Sequence, residues 1–168
     1  MSLVHPNDLI LDYTKAMMSF MLFHARVRSV ACIGLGGGSI PKFIRKMLPE
    51  INICVIENSQ QVINVARQYF FLPEDDDRLS VIYSDGMTWI DSAGEYDVIT
   101  EDEFIQKIKN HLTQQGIYIQ NLWSNDPKLK SRIKQIEASF DQIALIPTPK
   151  GGNIVALAFC KEPTAAHM

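Results

Sequence analysis

The sequence predicts an α/β fold, doubly wound around a mostly parallel seven-stranded sheet. Three observations carry this. Short β-branched apolar runs alternate with amphipathic segments along most of the chain. A glycine-rich turn sits between the first such run and the segment that follows it. The last two runs are joined by a Pro/Gly turn with no helix between them. Strand–helix alternation implies right-handed crossovers and a sheet covered on both faces, while two runs joined by a turn add an antiparallel pair.

The elements follow in order. Residues 8–24 read as one helix carrying Met17, Met18, Phe20, Met21, Leu22 and Phe23, and core packing is the plain use of such a face. Residues 1–24 are therefore expected to form an N-terminal helix packed on the core, with 25–168 as the sheet domain. Residues 30–33 are a short apolar run ending in glycines, the first strand. Residues 41–48 place Phe43, Ile44, Met47 and Leu48 at helical spacing, with Pro41 suited to a first turn. Residues 51–56 form the second strand, and Ser59 caps a helix reaching Tyr69. Residues 79–83 and 96–99 are the third and fourth strands. A helix over 104–112 stops near Gly116, followed by a strand at 117–122 and a helix at 128–140. Residues 143–146 and 154–159 close the chain as a hairpin around Pro147, Pro149, Gly151 and Gly152.

At 168 residues the chain fits one domain, and its 46% hydrophobic and 21% charged residues are those of an ordinary globular protein. Lys and Arg total 16 against 19 Asp and Glu, a net charge of -3. Without a basic excess, general binding to nucleic acid is disfavoured. Apolar stretches break well before the roughly 20 residues that cross a bilayer, so no membrane partner is expected. Asp8 and Asp12 stand where a secretory signal would carry cations. Cys32, Cys54 and Cys160 lie in strand-like runs without metal-ligand spacing. They read as reduced thiols of a cytoplasmic protein that holds no metal. His5, His24, His111 and His167 are scattered and accompany no nucleophile motif. The acidic run 74–77 reads as a solvated loop on the side of the sheet away from any strand-end site.

Three elements carry chemistry. Gly34-Leu35-Gly36-Gly37-Gly38-Ser39 follows a strand and opens a helix, where a turn poor in side chains lets a ligand approach the backbone. Glu57 ends the second strand about 20 residues further on, where an acid accepts ribose hydroxyls. Asp85-Gly86 follows the third strand, with a carboxylate placed to accept an adenine amine. Each has a structural alternative: a bare turn, an exposed strand-end acid, an Asp-Gly turn. Together, at three successive strand ends, they point to an adenosyl ligand. Ser39 departs from the last glycine of a dinucleotide fingerprint, and no Gly-Lys-Ser/Thr marks a P-loop. Cys32 stands where many methyltransferases of this Rossmann-like, adenosylmethionine-dependent type carry an acid.

The segments VACIGLGGGSIPKFI, VIENSQQVINVARQYFFLPEDDDRLSVIYSDGMTWI, YDVI and IKNHLTQQGIYIQNLW resemble the spermidine synthase family of aminopropyltransferases, and most closely its bacterial spermidine-synthase-like members. The resemblance implies decarboxylated S-adenosylmethionine as donor, a small amine such as putrescine as acceptor, and a cytoplasmic homodimer. It assigns Gly34, Gly36, Gly37 and Gly38 to lining the donor, Glu57 to its ribose, and Asp85 with Gly86 to its adenine. In that chemistry an amine attacks carbon bonded to a sulfonium and a thioether leaves. Catalysis then rests on positioning and on deprotonating the attacking ammonium. The family places the base in an acidic loop after the fourth strand. Here the run 96–99 leads almost directly into Thr100-Glu101-Asp102-Glu103-Phe104. That loop is not visible, whether lost or left out of this chain, and omission is the favoured reading. The catalytic base is therefore not assigned: Asp102 falls near the right strand end and is a weak candidate for it, and a helix N-terminal acid is the favoured reading of that residue. Two alternatives stay open: a methyltransferase using S-adenosylmethionine, and a homologue that binds the adenosyl ligand without catalysis.

Overall fold

The computed structural model describes residues 4–24, 26–100 and 104–161. Seven strands form one sheet: β1 (Ser29–Ile33), β2 (Asn52–Glu57), β3 (Leu79–Tyr83), β4 (Tyr96–Thr100), β5 (Leu112–Trp123), β6 (Gln142–Pro147) and β7 (Asn153–Phe159). Their order is β3-β2-β1-β4-β5-β7-β6. The β3-β2-β1-β4-β5 stretch is parallel, while β7 runs antiparallel to both β5 and β6. The helices are α1 (Asp12–Met17), α2 (Ser39–Met47), α3 (Gln60–Phe70), α4 (Gly86–Ile90), α5 (Ile105–Ile108) and α6 (Leu129–Ser139). The predicted doubly wound α/β fold is thus the observed one.

Strand residues alternate between two apolar layers. Val30, Val55, Val98, Ile117 and Leu157 pack with Met17 of α1, Ile44 of α2 and Ile63 of α3 on one face. Ala31, Ile99, Tyr118 and Ala156 meet Ile90 of α4, Ile108 of α5 and Ile136 of α6 on the other. Ser59 caps α3 as expected, its Oγ accepting from Val62 N at 3.3 Å. Among the described residues no helix is long and apolar enough to cross a membrane.

Three expectations are corrected. The single helix over 8–24 is instead a six-residue α-helix continued by a 3₁₀ segment, Met18–Leu22. Met17, Met18 and Phe20 are all buried, and three residues per turn brings positions 17 and 20 onto one face. The Asp-Gly at 85–86 opens α4, a helix that the sequence does not suggest. Gly116 does not stop a helix. α5 passes into a short 3₁₀ turn, Lys109–His111, and β5 begins already at Leu112. Tyr96 pairs with Leu112 but Val98 pairs with Ile117, so β5 bulges between these pairs. Gly116 sits in that bulge, where an added Cβ would meet Leu112 Cβ at 2.7 Å and the Thr113 carbonyl oxygen at 2.9 Å.

One polar residue inside the core is a device of the fold. Lys42 of α2 is fully buried, and its Nζ donates to the Phe70 carbonyl oxygen at the end of α3. Burial pulls its pKa below the ordinary lysine value. A cation there also complements the negative end of the helix dipole.

Candidate functional site

β1, β2 and β3 end side by side, with Ile33 paired to Ile56 and Glu57 paired to Tyr83. A hollow of about 240 Å³ opens at these carboxyl ends. Gly34 borders it after β1, Glu57 and Asn58 at the end of β2, Ser84 to Met87 after β3, and Phe104 ahead of α5.

The glycine turn is built from backbone. Gly34 adopts φ 95° and donates its N–H to the Ile56 carbonyl at 2.7 Å, which fastens the end of β1 to β2. Gly38, with φ 69°, donates to the Leu35 carbonyl at 2.9 Å and starts α2. Side chains rarely adopt such conformations. Of the four glycines assigned to the donor, Gly34 borders the hollow. Gly36, Gly37 and Gly38 shape the turn behind it, and Gly38 lies against Leu72.

Glu57 is buried, and both its oxygens are in use. Oε2 accepts from Leu35 N at 3.0 Å and Oε1 from Ser59 N at 2.9 Å. A carboxylate oxygen has a second acceptor position, so Glu57 ties the glycine turn to the start of α3 and keeps acceptor capacity at the hollow. Asp85 borders the same hollow and caps α4. Its Oδ1 accepts from Thr88 N at 3.0 Å, so the cap employs one of its two oxygens. Gly86 allows close packing: a Cβ there would meet Ile33 Cγ2 at 2.7 Å and Phe104 Cζ at 3.1 Å.

The structure thus brings Gly34, Glu57, Asp85 and Gly86 to one hollow. Sequence reasoning missed Asn58, Ser84, Met87 and Phe104. Phe104 was the findable one, because it is the first aromatic residue after the fourth strand. Asp102 lies outside the described residues. Cys32 is buried on the α1–α3 face of the sheet. Burial pushes its thiol up to about 12, with a hydrogen bond to Thr100 working the other way. It is a neutral group, unlike the acid it replaces. Among the described residues no three His, Cys, Asp or Glu side chains gather as metal ligands would.

A larger hollow, about 450 Å³, lies toward the amino ends of β2 and β3 beside Trp89 and Tyr96. Two of its three charged groups, Asp76 and Arg78, are spent on the fold. Asp76 accepts from Arg45, Arg78 N and Leu79 N, and Arg78 donates to the Pro49 and Arg45 carbonyls. The acidic run is therefore not merely solvated. The smaller hollow, with acceptors converging at strand ends, is the better site.

A parallel sheet with a carboxyl-end hollow and a terminal antiparallel pair defines the Rossmann-like fold of adenosylmethionine-dependent methyltransferases and spermidine synthases. Human methyltransferase-like protein 13 in complex with SAH superposes with a TM-score of 0.82 at 24% identity, over 94% of this chain and 86% of that one. Spermidine synthase in complex with the transition state analogue AdoDATO superposes with a TM-score of 0.77 at 20% identity, over 90% of this chain and 62% of that one. In sequence, the polyamine aminopropyltransferase of Chromobacterium violaceum is 31% identical over 180 residues, covering 98% of this chain and 69% of the relative. The chain belongs to the polyamine aminopropyltransferase family. No protein-family model matches it. Those 180 aligned residues exceed the 168 of this chain, so the relative has at least 12 positions without a counterpart here.

Proposed function

We propose that this chain binds the nucleoside part of decarboxylated S-adenosylmethionine in the Gly34–Glu57–Asp85 hollow and transfers the aminopropyl group to a small amine such as putrescine. The observation that carries this reading is the meeting of Glu57 and Asp85 at one hollow beside the glycine turn, in a member of the aminopropyltransferase family. Glu57 holds the ribose hydroxyls, Asp85 accepts from the adenine amine, Gly34 lets the ligand lie close to the backbone, and Gly86 shapes the adenine side of the hollow by making room for Ile33 and Phe104. Gly36, Gly37 and Gly38 hold the turn in shape. The donor's sulfonium supplies the leaving group, so the protein's part is to align the two substrates and take a proton from the attacking amine. Asp102 is a weak candidate for the second task.

Calorimetry with methylthioadenosine tests the donor site. Saturable heat is expected, and no heat at millimolar ligand with folded protein removes the reading.

One observation favours the second reading, a methyltransferase or a non-catalytic binder. β4 ends at Thr100 and α5 begins at Ile105, so four residues stand where the family carries its acidic loop. Turnover measured side by side with the two donors, with putrescine and with methyl acceptors, separates these activities. Aminopropyl transfer supports the first, methyl transfer the second, and neither supports the binder.

The reading includes a cytoplasmic homodimer. Cys32, Cys54 and Cys160 carry free thiols, as a reducing compartment keeps them. Ile10, Leu11, Met21 and Leu22 expose apolar surface around α1, which supports pairing of two copies there.

A further inference from the structure

We infer that the ring of Phe104 is the wall on which the base of the bound nucleoside stacks. The inference rests on the adenosyl reading above and adds a residue to it.

Phe104 is the residue immediately before α5, and it borders the hollow. Its ring is set against the backbone of Gly86. The ring tip lies 3.1 Å from where a Cβ on that residue would stand, and Ile33 Cγ2 closes the same corner at 2.7 Å. Gly86 therefore makes room for the ring, and the ring closes the side of the hollow next to Asp85. Ile33, Ile56 and Met87 complete the apolar surround, while Glu57, Ser84 and Asp85 supply the polar groups. An aromatic wall, aliphatic neighbours and a few convergent acceptors suit a flat heteroaromatic ring better than a sugar or an alkyl chain.

Size points the same way. At about 240 Å³ the hollow is below the roughly 300 Å³ at which small-molecule sites usually begin. A base entering it lies against its walls, and Phe104 is the one aromatic side chain among the described residues that border it.

The test compares methylthioadenosine binding to the wild-type chain and to Phe104→Ala, Phe104→Leu and Phe104→Tyr, by calorimetry and by the near-ultraviolet hypochromism of the bound adenine. Stacking on an aromatic side chain predicts about a tenfold to hundredfold loss of affinity for Phe104→Ala. Phe104→Leu keeps apolar bulk without a π face, so it should lose affinity and hypochromism with little change in Tm. Phe104→Tyr should restore both. Wild-type affinity in Phe104→Leu overturns the inference, and so does tighter binding by Phe104→Ala, which would mean that the ring occupies the base's place. Failure of the wild-type chain to bind methylthioadenosine overturns the adenosyl reading itself, and this inference with it.

Discussion

Glu57 shows how one residue serves fold and site together. Its carboxylate holds Leu35 N and Ser59 N while facing the hollow, so its replacement has two consequences. Glu57→Ala should cost about 1.5–3 kcal/mol of methylthioadenosine binding, as charge-assisted hydrogen bonds do. It should also lower unfolding free energy by about 1–3 kcal/mol, because two backbone donors lose their acceptor. Paired calorimetry and urea titrations measure both, and unchanged affinity removes Glu57 from the site. Cys32 carries a second prediction. Its thiol ionises near 9.0 when unfolded and near 12 in the core. Below pH 9 both states keep the proton and nothing changes. From pH 9 toward 12 the unfolded chain releases it first, and stability falls by up to about 1.4 kcal/mol per pH unit from this group. Tyr96 and Cys160 are raised by burial too and add to the decline. Urea unfolding at increasing alkaline pH should show Cys32→Ala losing less stability than wild type.

At the scale of elements, the caps make the sharpest tests. Asp85 starts α4 and borders the hollow, so alanine and asparagine separate its roles. Asp85→Ala should cost about 1 kcal/mol in stability through the lost cap. Asp85→Asn still caps, so any loss of affinity that it shows reports the ligand alone. Lys42 joins α2 to the end of α3, and Lys42→Met should destabilise by about 1–3 kcal/mol by leaving the Phe70 carbonyl without this donor. Chemical unfolding measures it. Elements with strong local signals were legible in the sequence: the Ser59 cap, the β-branched strands and the glycine turn after β1. What was not legible depends on tertiary contact. Nothing local in Leu112 to Gly116 announces a bulge, because the bulge is set by pairing with β4. The split of the N-terminal helix comes from packing Met17, Met18 and Phe20 on the sheet. Lys42 reads as an exposed helix cation until α3 is in place.

For the whole molecule, the described residues that border the candidate hollow run from Ile33 to Phe104, while β5, β6 and β7 widen the sheet behind it. This is why the site was largely readable. Its acids follow successive strands, and parallel topology carries consecutive strand ends to one edge. Of the residues that escaped notice, Asn58, Ser84 and Met87 have no chemistry that marks them before the edge is assembled. The homodimer proposal also belongs to this scale. Light scattering should give twice the chain mass, and Met21→Asp with Leu22→Asp should return a monomer. The far rim of the sheet is different. β3 is the terminal strand there, and both oxygens of Asp75 accept from Val81 N at 3.2 Å. The chain thereby plugs its own open border, leaving an incoming extended peptide one fewer amide to grip, and growth of the sheet into fibrils is discouraged at that rim.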